Sequence, residues 1–133
     1  MLIKILDYAA RAAVAFILVQ TLWFKFRAAP ESVAIFSALH VEPWGRIAAG
    51  VVELVAGILI LIPRTALYGA ALALGTMLGA ILAHIFVIGI VVHSDSGLLF
   101  AMACAVGVAS LFCIYARRAE LGRVLNRLRA GRG

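Results

Sequence analysis

The sequence predicts an all-α fold: a four-helix transmembrane bundle with an amphipathic segment between the first and second crossings. Three observations carry this. Of 133 residues, 65% are hydrophobic and 14% charged, with a mean hydropathy of +1.12, above the range of soluble domains of this length. A hydrocarbon core about 30 Å thick takes roughly 20 apolar residues per helical crossing, so the length holds about four crossings once loops and a tail are set aside. The polar residues cluster between the apolar runs rather than alternating through them.

The first run, about Leu6 to Phe26, opens after Lys4 and resembles a signal peptide in length, but Lys25 and Arg27 crowd the only small-residue site, "RAAP". A cleavable signal needs neutral residues there, so the run reads as a retained helix. Asp7 and Arg11 stand at i,i+4 near its start, with Arg11 expected to snorkel to the interface. The segment "AAPESVAIFSALHVEPWGR", bounded by Pro30 and Pro43 with Val33, Phe36 and Leu39 at three-residue spacing, is too short and polar to cross. It is expected to lie amphipathically on the outer surface.

A second crossing runs from about Arg46 to Ile62 and stops at Pro63; the turn "PRTA" leads into a third, about Ala66 to Val92. On it Ala71, Gly75, Gly79 and Ala83 make a small-residue stripe at four-residue spacing, which suits close helix packing. The loop "HSDSG" precedes a fourth crossing, about Leu98 to Ala116, continuing into a basic tail. There Leu121, Val124, Leu125 and Leu128 recur at i, i+3, i+4 and i+7, the pattern of a surface-lying helix. The expected division is therefore residues 1–116 as the membrane domain and 117–133 as a basic amphipathic cytoplasmic tail.

Charge sets the orientation. The formal net charge is +6, and half of the basic residues fall in "RRAELGRVLNRLRAGRG". Interleaved leucines make an anionic lipid face the expected partner of that tail, and nucleic acid is not expected. Lys4, Arg11, Arg64 and the tail arginines share one side of four crossings, against Lys25, Arg27 and Arg46 on the other. Both termini are thus expected in the cytoplasm of a multi-pass protein of the bacterial inner membrane. Tyr8, Tyr68 and Tyr115 then mark the inner interface, and Trp23 and Trp44 the outer one.

The residues that call for explanation lie inside the apolar runs. Glu53 stands seven residues below Arg46, about 10 Å at the helical rise, and His84 eight residues short of Val92, about 12 Å. Gln20 precedes Lys25 by five residues, about 7 Å, so Lys25 near the outer rim reaches inward toward the same level. A lone buried carboxylate costs several kcal/mol, and His84, Lys25 and Gln20 are its available partners. Either the cluster only ties helices together, or an acid and an imidazole in low dielectric exchange protons with a molecule arriving from the outer leaflet.

Cys104 enters the fourth crossing about 10 Å down and is expected on the same cavity or as a small apolar filler. Cys104 and Cys113, nine positions apart, fall on opposite helix faces and do not pair within it. The loop residues His40, Glu42, His93 and Asp95 have no spacing of a known metal site, and no metal is expected.

The lysine of "QTLWFKF", the phenylalanine and proline of "IFSALHVEP", then "GVVELVAGILILIPR" with Glu53 and Gly57, and "GAALALGTMLGAILAHI" with His84 together resemble the DoxX family of small four-helix membrane proteins. The likeness covers about Phe16 to Val92; where the family usually has paired glycines after the acid, this chain has "LVAGI". The resemblance implies the fold, a site at Lys25, Glu53 and His84, and an accessory role in membrane redox systems, including quinone-linked thiosulfate oxidation and oxidative-stress defence.

These readings lead to one expected function with two rivals. The first is a redox accessory subunit binding a quinone or similar small hydrophobic molecule. Glu53, His84 and Lys25 would be its catalytic groups, and Gln20, Gly57, Met77, Ala80 and Cys104 would line the ligand site. No flavin, haem or nicotinamide motif is present, so no cofactor is built in, no catalytic motif is complete, and electrons would come from a redox partner protein. The rivals are a binding or transport module for a small solute or lipid, with transport calling for a homo-oligomer, and a structural scaffold.

Overall fold

The structure, a computed structural model, describes residues 1–132; Gly133, the end of the expected tail, lies outside the described residues. The described residues are all-helical: α1 (Leu2–Phe26), α2 (Pro30–Ala38), α3 (Trp44–Leu61), α4 (Ala66–Ala83, running into a π-helical turn His84–Ile88), α5 (Leu98–Ala116) and α6 (Arg118–Ala130). Among the described residues three helical stretches are long and apolar enough to cross a membrane: Trp44–Leu61, Ala66–Ile88 and Leu98–Ala116. The fourth long helix, α1, is interrupted by Asp7, Arg11, Gln20 and Lys25.

The four long helices close a ring, α1 against α3, α3 against α4, α4 against α5 and α5 back against α1. Val14, Leu18, Ala56, Ile60, Ala70, Ala73 and Val106 fill its centre. Small side chains are what allow the α3–α4 approach, but not the ones the spacing suggested. Ala71, Gly75 and Gly79 are exposed and Ala83 half-buried, while Ala66, Gly69, Ala70 and Ala73 turn inward. A Cβ on Gly69 would lie 2.3 Å from the Ile60 backbone nitrogen, whereas one on Gly75 or Gly79 would meet nothing within 4 Å. A four-residue period cannot decide which of two adjacent small-residue faces packs, because both satisfy it.

Arginines fasten the α1–α3 pair at both ends. Arg11, 2% exposed, donates from Nε to the Ile60 carbonyl and from Nη2 to the Leu61 carbonyl, each at 2.6 Å. It is therefore a buried cap on α3 rather than the snorkelling residue expected: the carbonyls of a helix C-terminus lack intrahelical donors, and a guanidinium fork answers two at once. Reciprocally, buried Arg46 of α3 donates to the Lys25 carbonyl at the end of α1 and from Nε to Glu42 Oε1 at 2.8 Å. Asp7 lies 3.7 Å from Arg11 and accepts from Arg117 Nη1 at 2.8 Å, tying the start of α6 to α1.

The third crossing ends earlier than the expected Val92. Gly89, at φ +87°, leaves the helix, its N–H donating to the His84 carbonyl at 2.9 Å across the widened turn. In the loop that follows, Asp95 accepts from the N–H groups of Val92 (3.0 Å), Gly97 (2.8 Å) and Leu99 (3.0 Å). These donors, that of Leu99 foremost, hold its carboxyl below its ordinary value of 3.8, against an opposing effect of burial. A depressed folded pKa gives stability that is present above the unfolded value and lost as pH falls through the folded one. The melting temperature of Asp95→Asn should therefore fall short of the parent's above about pH 4, with the gap closing at more acid pH; a gap independent of pH would show that the charge contributes nothing.

Candidate functional site

Toward one end of the ring α1, α3, α4 and α5 part around a cavity of about 280 Å³. Its floor is Leu18, Met77 and Val106, and its roof is α2, through Ser32, Ile35, Phe36 and Leu39. The connecting segment thus covers the cavity instead of lying only as a surface strip. Its inward face follows from Ser32, Ile35, Phe36 and Leu39 sharing one side of a helical turn.

Glu53, 3% exposed, projects from α3 into this space because it continues the inward face that holds Arg46, Gly50, Ala56 and Ile60. Its Oε2 receives Lys25 Nζ at 2.9 Å and lies 3.2 Å from Thr21 Oγ1, which also donates to the Leu18 carbonyl at 2.8 Å. Among the described residues Oε1 makes no hydrogen bond. Lys25 and Thr21 stand one turn apart on α1, which places ammonium and hydroxyl together over the acid. The ion pair offsets the desolvation of both charges, and the site carries no net charge from it.

His84, 4% exposed, also lines the cavity but bonds neither Glu53 nor Lys25. Its Nδ1 lies 2.8 Å from the Gly89 carbonyl. A carbonyl oxygen only accepts, so Nδ1 donates in this contact, and Nε2 is the ring nitrogen it leaves without a hydrogen bond among the described residues. The π-helical turn makes this possible: the wider turn brings the Gly89 carbonyl back under the ring of the residue that opens it. Phe100 meets the imidazole edge to face, ring centres 5.7 Å apart, and holds its plane.

The structure thus brings Lys25, Glu53, His84, Met77 and Ala80 to one cavity and leaves three of the expected lining residues outside it. Gln20 is exposed, since at 100° per residue it turns away when Thr21 and Lys25 face Glu53. Gly57 is buried on α3 but one turn beyond Glu53, below the cavity. Cys104 is half-buried, while its neighbours Met102 and Ala103 line the space; Cys113 is buried in the core, on the opposite face as expected. Equal depth singled out Gln20 and Cys104, but depth says nothing of angular position. Thr21 and Ser32 escaped the sequence reading; the i,i+4 spacing of Thr21 with Lys25 was the available signal for the first, and nothing local marked the second.

Neither a curated protein nor a solved structure matches the chain. The family model of DoxX matches residues 6–94, from α1 through the loop that Asp95 organises, including Lys25, Glu53 and His84. That match spans more than half of the sequence and the walls of the cavity other than α5, and with its long apolar helices this membrane protein belongs to the DoxX family.

Proposed function

We propose that the chain is an accessory subunit of a membrane redox system that binds the head of a quinone in the cavity among α1 to α5. The observation that supports this most is the pairing of an apolar cavity with a neutralised ion pair and a free imidazole nitrogen. A cavity kept open toward one end of a packed bundle favours a ligand over a scaffold, because interiors otherwise close to crystal-like density. With Lys25 already neutralised by Glu53, a neutral head with hydrogen-bonding oxygens suits the site better than a free anion such as thiosulfate. A quinone supplies the electron-carrying chemistry, with a partner protein as the source of electrons.

The chain's own groups hold the head and its protons. As two electrons from the partner reduce the head, its two oxygens take up two protons: His84 Nε2 and the free Oε1 of Glu53 each take a proton from outside the cavity and pass it to a head oxygen, while Lys25 Nζ donates a hydrogen bond to the head on the side opposite His84. The apolar walls exclude water from these exchanges. The same reading takes α1 as a fourth crossing: beyond exposed Lys4 at its start, its charged groups Asp7, Arg11 and Lys25 are paired inward, while Phe16, Val19 and Trp23 face outward. The termini then lie on the cytoplasmic side of a bacterial inner membrane. There α6, with no buried residue and Leu125 and Leu128 exposed, rests its leucines among acyl chains and its arginines on anionic headgroups.

The test is binding of a short-chain quinone to the purified protein in detergent. The parent is expected to bind it. His84→Ala should weaken binding by about tenfold, the worth of one buried hydrogen bond. Glu53→Gln should fold normally yet lose proton uptake on reduction of the bound quinone. Parent-like binding and proton uptake in both variants would leave the proposal without support.

A further inference from the structure

The cavity is too small for a whole membrane quinone. Pockets that enclose drug-sized molecules run from about 300 Å³ upward, so about 280 Å³ holds a ring and a short stub. Whatever chain the head carries must leave. Gly79 lines the cavity and is at the same time exposed on the outside of α4, and its absent side chain leaves a gap there.

One turn back along α4 from Gly79 lies a shallow groove lined by Tyr68, Leu72, Ala71, Gly75 and Thr76. Thr76 lines both cavity and groove, so the two adjoin at that residue. A Cβ on Gly75 meets nothing within 4 Å; no described residue fills the floor there. At the cavity end stand two buried side chains with free polar atoms, His84 Nε2 and Glu53 Oε1, which mark where a head binds. From Gly79 to Tyr68 the track is eleven residues, about 16 Å at the helical rise.

We infer that the outward small-residue stripe of α4 is a tail track: the ligand is an amphiphile with a compact neutral head and one long apolar chain. The head sits between Glu53 and His84, and the chain passes out over Gly79 and lies along Gly75 and Ala71. This rests on the quinone-head reading and adds the requirement for a chain. Continuity with the cavity favours a ligand's chain over a helix from a second copy, which would need the stripe but not its opening at Gly79.

Two quinones with the same head, one bearing a single isoprene unit and one several, test it on the parent, Gly75→Leu and Ala71→Leu. Both substitutions add bulk to an exposed groove, and melting temperatures check that they fold. The parent should bind the long form more tightly, and each variant should lose about tenfold toward the long form, roughly the burial of two methylenes or more, with short-form binding unchanged. Equal effects on both forms, or on neither, would overturn the track while the head site stood. A parent that binds neither form would overturn the head site, and the track with it. Conversion of an oligomer to a monomer by Gly75→Leu would assign the stripe to helix packing instead and sink the inference.

Discussion

Replacing Arg11 with methionine is expected to lower the stability of the folded protein by about 3 kcal/mol or more, the usual effect of removing one member of a buried charged network. Methionine keeps the length and apolar bulk of the stem, so the loss reads the guanidinium rather than a void. The carbonyls of Ile60 and Leu61 lose the donors now at 2.6 Å, the Ile60 bond being fully buried, and the end of α3 offers no intrahelical N–H to replace them. Asp7 remains held by Arg117, which separates this effect from that of an orphaned carboxylate. Arg11→Lys should recover less than half of the loss, since an ammonium cannot reproduce the two-pronged geometry. The check is thermal unfolding in detergent; a parent-like midpoint for Arg11→Met would mean that Arg11 does not cap α3.

Gly69→Leu should prevent α3 and α4 from docking and leave little folded protein. Even Gly69→Ala should cost about 3 kcal/mol, the upper part of the range for overpacking. The added carbon would lie 2.3 Å from Ile60 N and 2.7 Å from Ile60 Cα, and backbone atoms cannot rotate away as a side chain can. The two helices would have to separate along their shared length, loosening Ala66, Ala70 and Ala73 as well. Gly75→Ala is the control: with no atom within 4 Å of the new carbon, it should be neutral or gain up to about 1 kcal/mol from helix propensity. Comparable losses for both glycines would remove the distinction between an inward and an outward small-residue face.

The helices themselves were legible from periodicity and hydropathy. The ends of α3 and α5 fall within two residues of the expected limits, because Pro63 and the polar loop before Leu98 leave the backbone little choice. The pairing of Lys25 with Glu53 was among the expected partners because a buried acid calls for a cation and few were at its depth. His84 shared the cavity but found a different partner, the Gly89 carbonyl, through a π-helical turn that nothing in "HIFVIG" announced. Gln20, Gly57 and Cys104 were chosen by depth or motif, and each is turned away from the cavity or lies below it.

What the sequence alone determined is the class: an apolar chain that must satisfy its backbone inside helices, and ionisable groups too costly to leave in lipid without partners. What only the tertiary structure decided is direction. Rotation of each helix by one residue, 100° about its axis, exchanges Gln20 for Thr21 and Cys104 for Ala103, and decides whether a small-residue face packs or opens. That rotation is fixed by contacts between helices far apart in sequence, Arg11 on Ile60, Arg46 on the end of α1, and Gly69 against α3. No local pattern encodes them, because the energy that sets them belongs to both partners at once.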